Sequence, residues 1–421
     1  MSLYYKLESW HKCGSFKERG ALNVLLQIPR KDVKGIIVAS LSNVAIAMGI
    51  CGAKLNIKVA AVIPNTITLA LKNKISDLGV QVIVAGNSLL QAQLYAQQLA
   101  EKNDLIYING RDDPRMLEGY GSIALEILRD IPYVDAIIVP VGTGGLAAAI
   151  ATVVKHDKPD CLVYGVQPVA TQIFNLYKRD LEQHYQEILY IQEREYEGAD
   201  EEELEELRNA VTQIPDEYSP KPTLADSIAV SQVGANSYVT AVTLLDRMVR
   251  VEEESIAKAL LHIMEVEHLV VDGAAACPLA TIIENLVPEL KTKTVVCILT
   301  GGNVDCTVYA RSLHRGMSAD RRLVKFKVQI NNSIKDISRV FKILSLGGYR
   351  VVQQNQCDRW MDSDTRRLEL EIICQASSPE HGLELKKIME TAYPYTVVFE
   401  TAPFNIHPHC SCFKPLKSLM M

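Results

Sequence analysis

The sequence predicts an α/β protein: a two-lobed body of parallel βα units followed by a ferredoxin-like βαββαβ domain. Three observations predict it. From Lys34 to Ile131 short β-branched runs alternate with stretches of helical length, the rhythm of a parallel sheet with helical crossovers. The rhythm resumes at DAIIVPVG (135–142) and continues to TVVCILTGG (294–302), which implies a second lobe. After RGMSADRR the order becomes strand, helix, strand, strand, helix, strand within about 80 residues, the split βαβ pattern of a separate domain.

A short strand, YYKLE, comes first. The strands GIIVAS, KVAAVIP, VQVIVAG and LIYING follow, each trailed by a polar or small-residue stretch that reads as a helix. In the second lobe come DAIIVPVG, the helix LAAAIATVVK, the strand CLVYGVQP, the helix SIAKALLHIMEVE and the strand TVVCILTGG. Residues Thr171 to Ser219 break the rhythm. Within them Glu193 to Glu206 holds nine acidic residues in fourteen positions, which reads as a solvated helical insertion, with a docking face for a basic partner as the alternative. Pro215, Pro220 and Pro222 punctuate its end. The C-terminal elements are a strand at Leu323 to Ile330, a helix at Ser333 to Leu346, strands at Tyr349 to Gln354 and Arg366 to Cys374, a helix at Pro379 to Thr391 and a strand at Tyr395 to Glu400.

Composition narrows the function classes. At 421 residues, 48% hydrophobic and 22% charged, the chain is globular and longer than one average domain. Its net charge of −6 offers no basic excess for phosphates, so nucleic acid is not an expected partner. The long uncharged stretches Ile36 to Ala53 and Ala136 to Val154 are interrupted by SLSN and GTGG, and read as buried strand, loop and helix rather than membrane spans. Ten cysteines with irregular spacing suit a reducing compartment, and MSLYYKLESW lacks a signal-peptide core; a cytoplasmic protein is expected. The tail HPHCSCFK groups two His and two Cys without zinc-finger spacing, and reads as a terminus.

Three segments carry chemistry. In CGSFKERGALN, Lys17 stands among small residues at the head of a helix, where partial desolvation and the positive end of the helix dipole lower an amine pKa and suit it to Schiff-base formation. About 125 residues on, a strand runs into Gly142, Thr143, Gly144, Gly145 and Leu146. Glycines before a helix N-terminus form an anion cradle, and neither a dinucleotide fingerprint nor a Walker loop is present. The third is TGGN, where Thr300 ends a strand at the edge at which open α/β sheets bind ligands. Each alone is a common turn or helix start; the combination is not.

In this order, S-F-K-x-R-G-A, the glycine loop and [ST]-G-G-N resemble the pyridoxal-phosphate enzymes of fold type II, with the tryptophan synthase β-like body. The likeness is greatest to the serine/threonine dehydratase (threonine ammonia-lyase) and serine racemase group. DDPRMLEGYGSIALEIL and PTLADSIAV extend it, and the C-terminal domain is similar to that group's ACT-like regulatory module. The resemblance implies pyridoxal 5'-phosphate as cofactor and Lys17 as the residue that condenses with its aldehyde and later removes the substrate Cα proton. It implies that Gly142, Thr143, Gly144, Gly145 and Leu146 hold the phosphate. Asn43 would bond the pyridine 3-oxygen, and Ser40, Ser42 and Asn43 would receive the substrate. Thr300 would face the pyridine nitrogen, its neutral hydroxyl leaving that nitrogen unprotonated and favouring loss of a β-leaving group. The implied reaction eliminates water from L-serine or L-threonine and yields a 2-oxo acid and ammonia. The implied organisation is a catalytic body over 1–319, with its smaller lobe at about 34–130 and the helical acidic insertion at 171–219. An ACT-like domain over 320–405 and a tail over 406–421 follow, in a homo-oligomer, dimer or tetramer.

The chain departs from the family in several places. SLSNV replaces S-x-G-N-H, so the racemases' second base falls on Leu41, which cannot take a proton. Thr143 puts a Cβ into the glycine loop, where φ > 0 would strain it. Tyr120 replaces the usual Gln, Ser227 a Gly and Asp272 a Glu. Gln167 and Ile173 stand at the positions of a divalent-metal site in some relatives, so no metal is expected. The effector turn reads Asn331, Asn332, Ser333, Ile334, which argues against amino-acid feedback. Family members carry several dozen residues before the lysine motif, so the chain reads as shortened or as having lost its front segment. Two further readings stay open beside the dehydratase. One is a diverged, weakly active or non-catalytic relative acting as a binding or regulatory subunit; the other keeps the chemistry with a changed amine substrate.

Overall fold

The computed structural model describes residues 1–29, 33–196, 205, 218–357 and 366–400. Most of the acidic run between Glu193 and Glu206, Pro215 and the HPHCSC tail lie outside them. Two units are present, Met1–Ile256 with Ile263–Asp305, and Ala257–His262 with Cys306–Met421.

The first unit holds two parallel sheets. β1 (Ser2–Leu7), α1 (Lys17–Gln27), β2 (Ile36–Ala39), α2 (Asn43–Leu55), β3 (Val59–Ile63), α3 (Leu69–Ser76), β4 (Gln81–Val84), α4 (Leu89–Asn103), β5 (Ile106–Ile108) and α5 (Pro114–Asp130) come first. β6 (Ala136–Pro140), α6 (Gly145–Asp157), β7 (Leu162–Pro168), α7 (Ile173–Tyr196), α8 (Ala235–Leu244), β8 (Arg247–Val251), α9 (Glu253–Glu265), α10 (Gly273–Ile283) and β9 (Thr294–Leu299) complete it, the middle of α9 counting with the second unit. One sheet has the order β4-β3-β2-β5, the other β1-β9-β6-β7-β8. β2, β3 and β6 are buried at every position, as expected of strands covered by helices on both faces.

The register positions the site. β1 runs parallel to β9 with Leu7 opposite Leu299, and β6 runs parallel to β9 with Ile138 opposite Cys297. The loops that leave β1, β9 and β6 therefore emerge at one edge, the carboxyl edge at which α/β sheets bind ligands. Those loops lead to Lys17, Thr300 and Gly142.

Strand β8 and helices α8 and α10 go beyond the elements read from the sequence. RMVRV puts arginines at two of five positions on an edge strand, where one side meets water. Helix α10 contains Pro278, which a sequence reader takes for a helix end, yet the segment is almost wholly buried and continues through it.

The second unit has α11 (Cys306–Ala319), β10 (Leu323–Asn331), α12 (Ile334–Leu346), β11 (Arg350–Cys357), β12 (Arg367–Gln375), α13 (Pro379–Ala392) and β13 (Val397–Glu400). Its antiparallel sheet has the order β11-β12-β10-β13. Phe326, Val328, Leu370, Ile372, Leu385 and Met389 pack in one core, fed by the strict alternation of buried positions along β12. In the turn Asn331 to Ile334, Ser333 caps α12 by accepting the Asp336 N–H at 3.2 Å, and the Asn331 amide donates to the Asp336 carboxylate at 3.2 Å.

Candidate active site

Lys17 is the first residue of α1, and no side chain caps that helix. The loop before it is stitched to the turn after β9. Phe16 N–H donates to Thr300 O at 3.0 Å, Gly302 N–H donates to Gly14 O at 3.0 Å, and Ser15 bridges Gly301. Gly14 sits at φ +72°, and a Cβ there would lie 2.6 Å from Asn303 Oδ1. Lysine loop and strand end thus form one backbone unit.

The Lys17 amine donates to the Tyr120 hydroxyl at 3.2 Å. Burial, with the charge of Arg111 second, pushes that amine down to about 8. Arg111 follows β5 and is tied back by its guanidinium donating to Gln232 O at 2.8 Å. Its neighbour Asp112 accepts the N–H groups of Asn236 and Ser237, each at 2.9 Å, and so caps α8. Sequence reading gave neither residue a role; their place just past a parallel strand was the available signal.

Asn43 opens α2, and its Oδ1 accepts from the Asn303 amide at 2.9 Å. The same Asn303 amide nitrogen donates to Cys13 O at 2.6 Å, while Asn303 Oδ1 accepts from Lys74 at 3.0 Å. The last residue of TGGN is therefore a bracket for Asn43. The buried Ser40 hydroxyl oxygen accepts the N–H groups of Ser42 at 3.1 Å and Ala45 at 3.2 Å, so it shapes the SLSN loop while keeping its own proton to donate. Ser42 is half-buried, and Leu41 projects outward, 42% exposed.

In the glycine loop the left-handed residue is Gly144, at φ +99°, and Thr143 is not among the residues of positive φ. The strain expected at Thr143 is absent because the turn places its reversal one residue later. Gly144 caps α6 without a side-chain bond, and the first-turn N–H groups of a helix have no intrahelical acceptor. A Cβ at Gly145 would lie 2.7 Å from Leu117 Cδ2. Gly142 and Thr143 are half-buried and Leu146 is buried.

Thr300 is buried, and beside it Asp272 donates its N–H to Gly301 O at 2.9 Å. Burial pushes the Asp272 carboxyl up to about 6, with Asp226 adding to the rise and bonds from Ala275 N–H and the Ser227 hydroxyl opposing it. Gln167 is wholly buried, its amide donating to Val141 O at 3.1 Å, and Ile173 is buried as well. Among the described residues no group of three or more His, Cys, Asp or Glu is placed to hold a metal ion, and no helix is long and apolar enough to cross a membrane.

Residues 1–301 match the family described as pyridoxal-phosphate dependent enzyme. An L-threonine ammonia-lyase from Geobacter sulfurreducens is 32% identical over 331 residues, 78% of this chain and 74% of the relative. Another from Thermotoga maritima is 28% identical over 392 residues, 92% of this chain and 88% of the relative. Among solved structures, the processed form of threonine deaminase isoform 2 from Solanum lycopersicum gives a TM-score of 0.61 at 28% identity, over 74% of this chain and 82% of that one.

Proposed function

Because this chain belongs to the pyridoxal-phosphate dependent enzyme family, we propose that it converts L-threonine or L-serine to a 2-oxo acid and ammonia, with Lys17 as the residue that bonds to the cofactor. The observation that carries this reading is the convergence of Lys17, Thr300 and the glycine loop at the carboxyl ends of β1, β9 and β6. The relatives named for threonine deamination support the substrate class.

The residues present fit the cofactor. Helix α6 begins without a side-chain cap, behind a glycine whose conformation a Cβ would strain, which suits a phosphate. A lysine amine at about 8 is neutral often enough near neutral pH to attack an aldehyde. Bound pyridoxal phosphate supplies that aldehyde and an electron sink.

The protein's own backbone and side chains do the rest. First-turn backbone amides of α6, from Gly145 and Leu146, would hold the phosphate, with Gly142, Thr143 and Gly144 shaping the turn. Asn303 occupies Asn43 Oδ1, so the Asn43 NH2 is the end that would hold the cofactor's 3-oxygen. Thr300 would offer an uncharged hydroxyl to the ring nitrogen. Ser40 donates its proton to the substrate carboxylate, with Ser42 and Asn43 on the same loop. Lys17 takes the Cα proton onto Nζ and can return it to the leaving hydroxyl. Leu41 offers no second base, which disfavours racemisation. The C-terminal unit, with its βαββαβ order, is read as an ACT-like regulatory domain beyond a body ending near 319, in a cytoplasmic dimer or tetramer.

The test is to purify the protein with cofactor, record the yellow absorbance and its loss on borohydride, and assay 2-oxobutanoate from L-threonine. Product formation that disappears in Lys17→Ala is expected. Colour that persists in Lys17→Ala overturns the lysine assignment, and colour without product overturns the reaction.

A further inference from the structure

Helices α1 and α5 touch backbone to backbone. A Cβ at Gly119 would lie 2.6 Å from Arg19 O and 2.8 Å from Gly20 Cα, and one at Gly20 would lie 2.5 Å from Tyr120 Cε1. Two facing glycines thus clear the path by which the Tyr120 ring crosses to the start of α1. There the ring meets Phe16 edge to face, with centroids 4.8 Å apart. The Lys17 amine lies 4.8 Å from the Phe16 centroid and 5.1 Å from that of Tyr120, within cation–π range of both. Its bond to the Tyr120 hydroxyl closes this small aromatic cage on the polar side. Tyr120 is 1% exposed, so neither ring nor hydroxyl has another place to go.

We propose that the Tyr120 hydroxyl is a positioning group for the Lys17 amine, holding it within the Phe16–Tyr120 cage whenever it is not bonded to the cofactor. This deepens the proposed function and rests on Lys17 being the cofactor lysine. The cage defines where the amine waits before it bonds to the cofactor and where it stands when it exchanges a proton with substrate. Burial, with Cys13 and Asp113 nearby, pushes the phenol pKa above its ordinary range. Tyr120 therefore stays neutral, loses no proton and acts through its dipole. Of the charged groups around the amine, Arg111 opposes its protonation, and the hydroxyl oxygen favours it by accepting an N–H.

The test uses cofactor-free full-length protein. The rate of Lys17 acylation by acetic anhydride is followed against pH by peptide mass spectrometry, in the wild type and in Tyr120→Phe, which keeps the ring. Loss of the acceptor is expected to lower the apparent Lys17 pKa by about one unit and, above about pH 9 where the amine is largely neutral in both proteins, to slow colour development with added pyridoxal phosphate roughly tenfold. An unchanged acylation profile with an unchanged colour rate overturns the proposal and leaves Tyr120 a packing residue. Should the variant not fold, the wild type decides the matter by NMR with carbon-13 lysine. Ring-current upfield displacement of the Lys17 ε resonances, lost when cofactor binds, is expected; resonances at unshifted positions overturn the cage. Neither arm depends on turnover, and the Lys17→Ala colour test separately judges the lysine assignment.

Discussion

The Asn303 amide nitrogen donates to Asn43 Oδ1 at 2.9 Å across 260 residues of sequence. An amide held by its oxygen presents its NH2 on the other side, so Asn303 decides which end of Asn43 faces the cleft. Asn303→Asp supplies only acceptors and turns the Asn43 NH2 toward itself, so that under the proposed reading an oxygen would stand where the cofactor's 3-oxygen needs a donor. Cofactor affinity is expected to fall about tenfold or more, and Asn303→Ser, which can still donate, is expected to fall less. Equilibrium dialysis with pyridoxal phosphate measures both; equal losses would show that amide orientation is not what matters.

Arg19, two residues past Lys17, ties three elements together. Its guanidinium donates to Glu8 at 2.7 and 2.8 Å and to Glu126 at 2.7 and 2.8 Å, and Lys6 also pairs with Glu126. Glu8 is 1% exposed. Replacing Arg19 by Met leaves that buried carboxylate its bond to His11 at 3.0 Å and takes away the guanidinium, with an expected loss of about 3 kcal/mol by urea denaturation. The bonds from Arg19, then Lys6, hold Glu126 down to about 2 despite its partial burial. A carboxyl lowered in the folded state stabilises fully above its ordinary value, and that contribution fades as pH falls from about 4.5 to 2. The acid-unfolding midpoint is therefore expected at higher pH in Arg19→Met than in the wild type.

Gly144 and Thr143 are both expected to lose stability when exchanged, for different reasons. Gly144 lies at φ +99°, with Phe174 Cε2 and Ser237 Cβ each 3.3 Å from where a Cβ would stand. Gly144→Ala is expected to cost about 1–2 kcal/mol and to weaken phosphate binding at the start of α6. Thr143→Gly relieves no strain, since the turn does not reverse there, and is expected to lower stability by about 0.5–1 kcal/mol through chain entropy. Thermal melts with and without cofactor compare the pair; a stabilised Thr143→Gly would overturn the assignment of the left-handed position.

The βα rhythm was legible because buried parallel strands are near-continuous β-branched runs, as in IIVA and VAAVI. The loops bearing Lys17, Gly144 and Thr300 were legible as motifs, because glycines and strand ends mark them locally. What joins them was not. The Asn303–Asn43 bond spans 260 residues and the Tyr120–Lys17 bond 103, and no local pattern encodes such pairings. Tyr120 was noticed only as a departure from Gln, and its purpose emerged from the Gly20–Gly119 crossing that gives it room. Strand β8 stayed hidden because its charged residues face outward at a sheet edge.

Asp272 caps α10 by accepting the Ala275 N–H at 2.9 Å, and accepts from the Ser227 hydroxyl at 3.2 Å. Burial, then Asp226, outweighs these bonds and lifts the carboxyl from 3.8 to about 6. For an acid raised in the folded state the folded protein binds more protons between those two values, so stability falls as pH rises through that window and stays lower above it. Asp272→Asn keeps the oxygen that caps the helix and removes the buried charge. It is therefore expected to be close to neutral at pH 4, where the native carboxyl is already protonated, and stabilising by up to about 3 kcal/mol at pH 8. Urea denaturation of both proteins at the two pH values checks this. A stabilisation of equal size at pH 4 would mean that shape rather than charge is responsible, and destabilisation at pH 8 would mean that the ionised carboxylate is a required partner of the turn that carries Thr300.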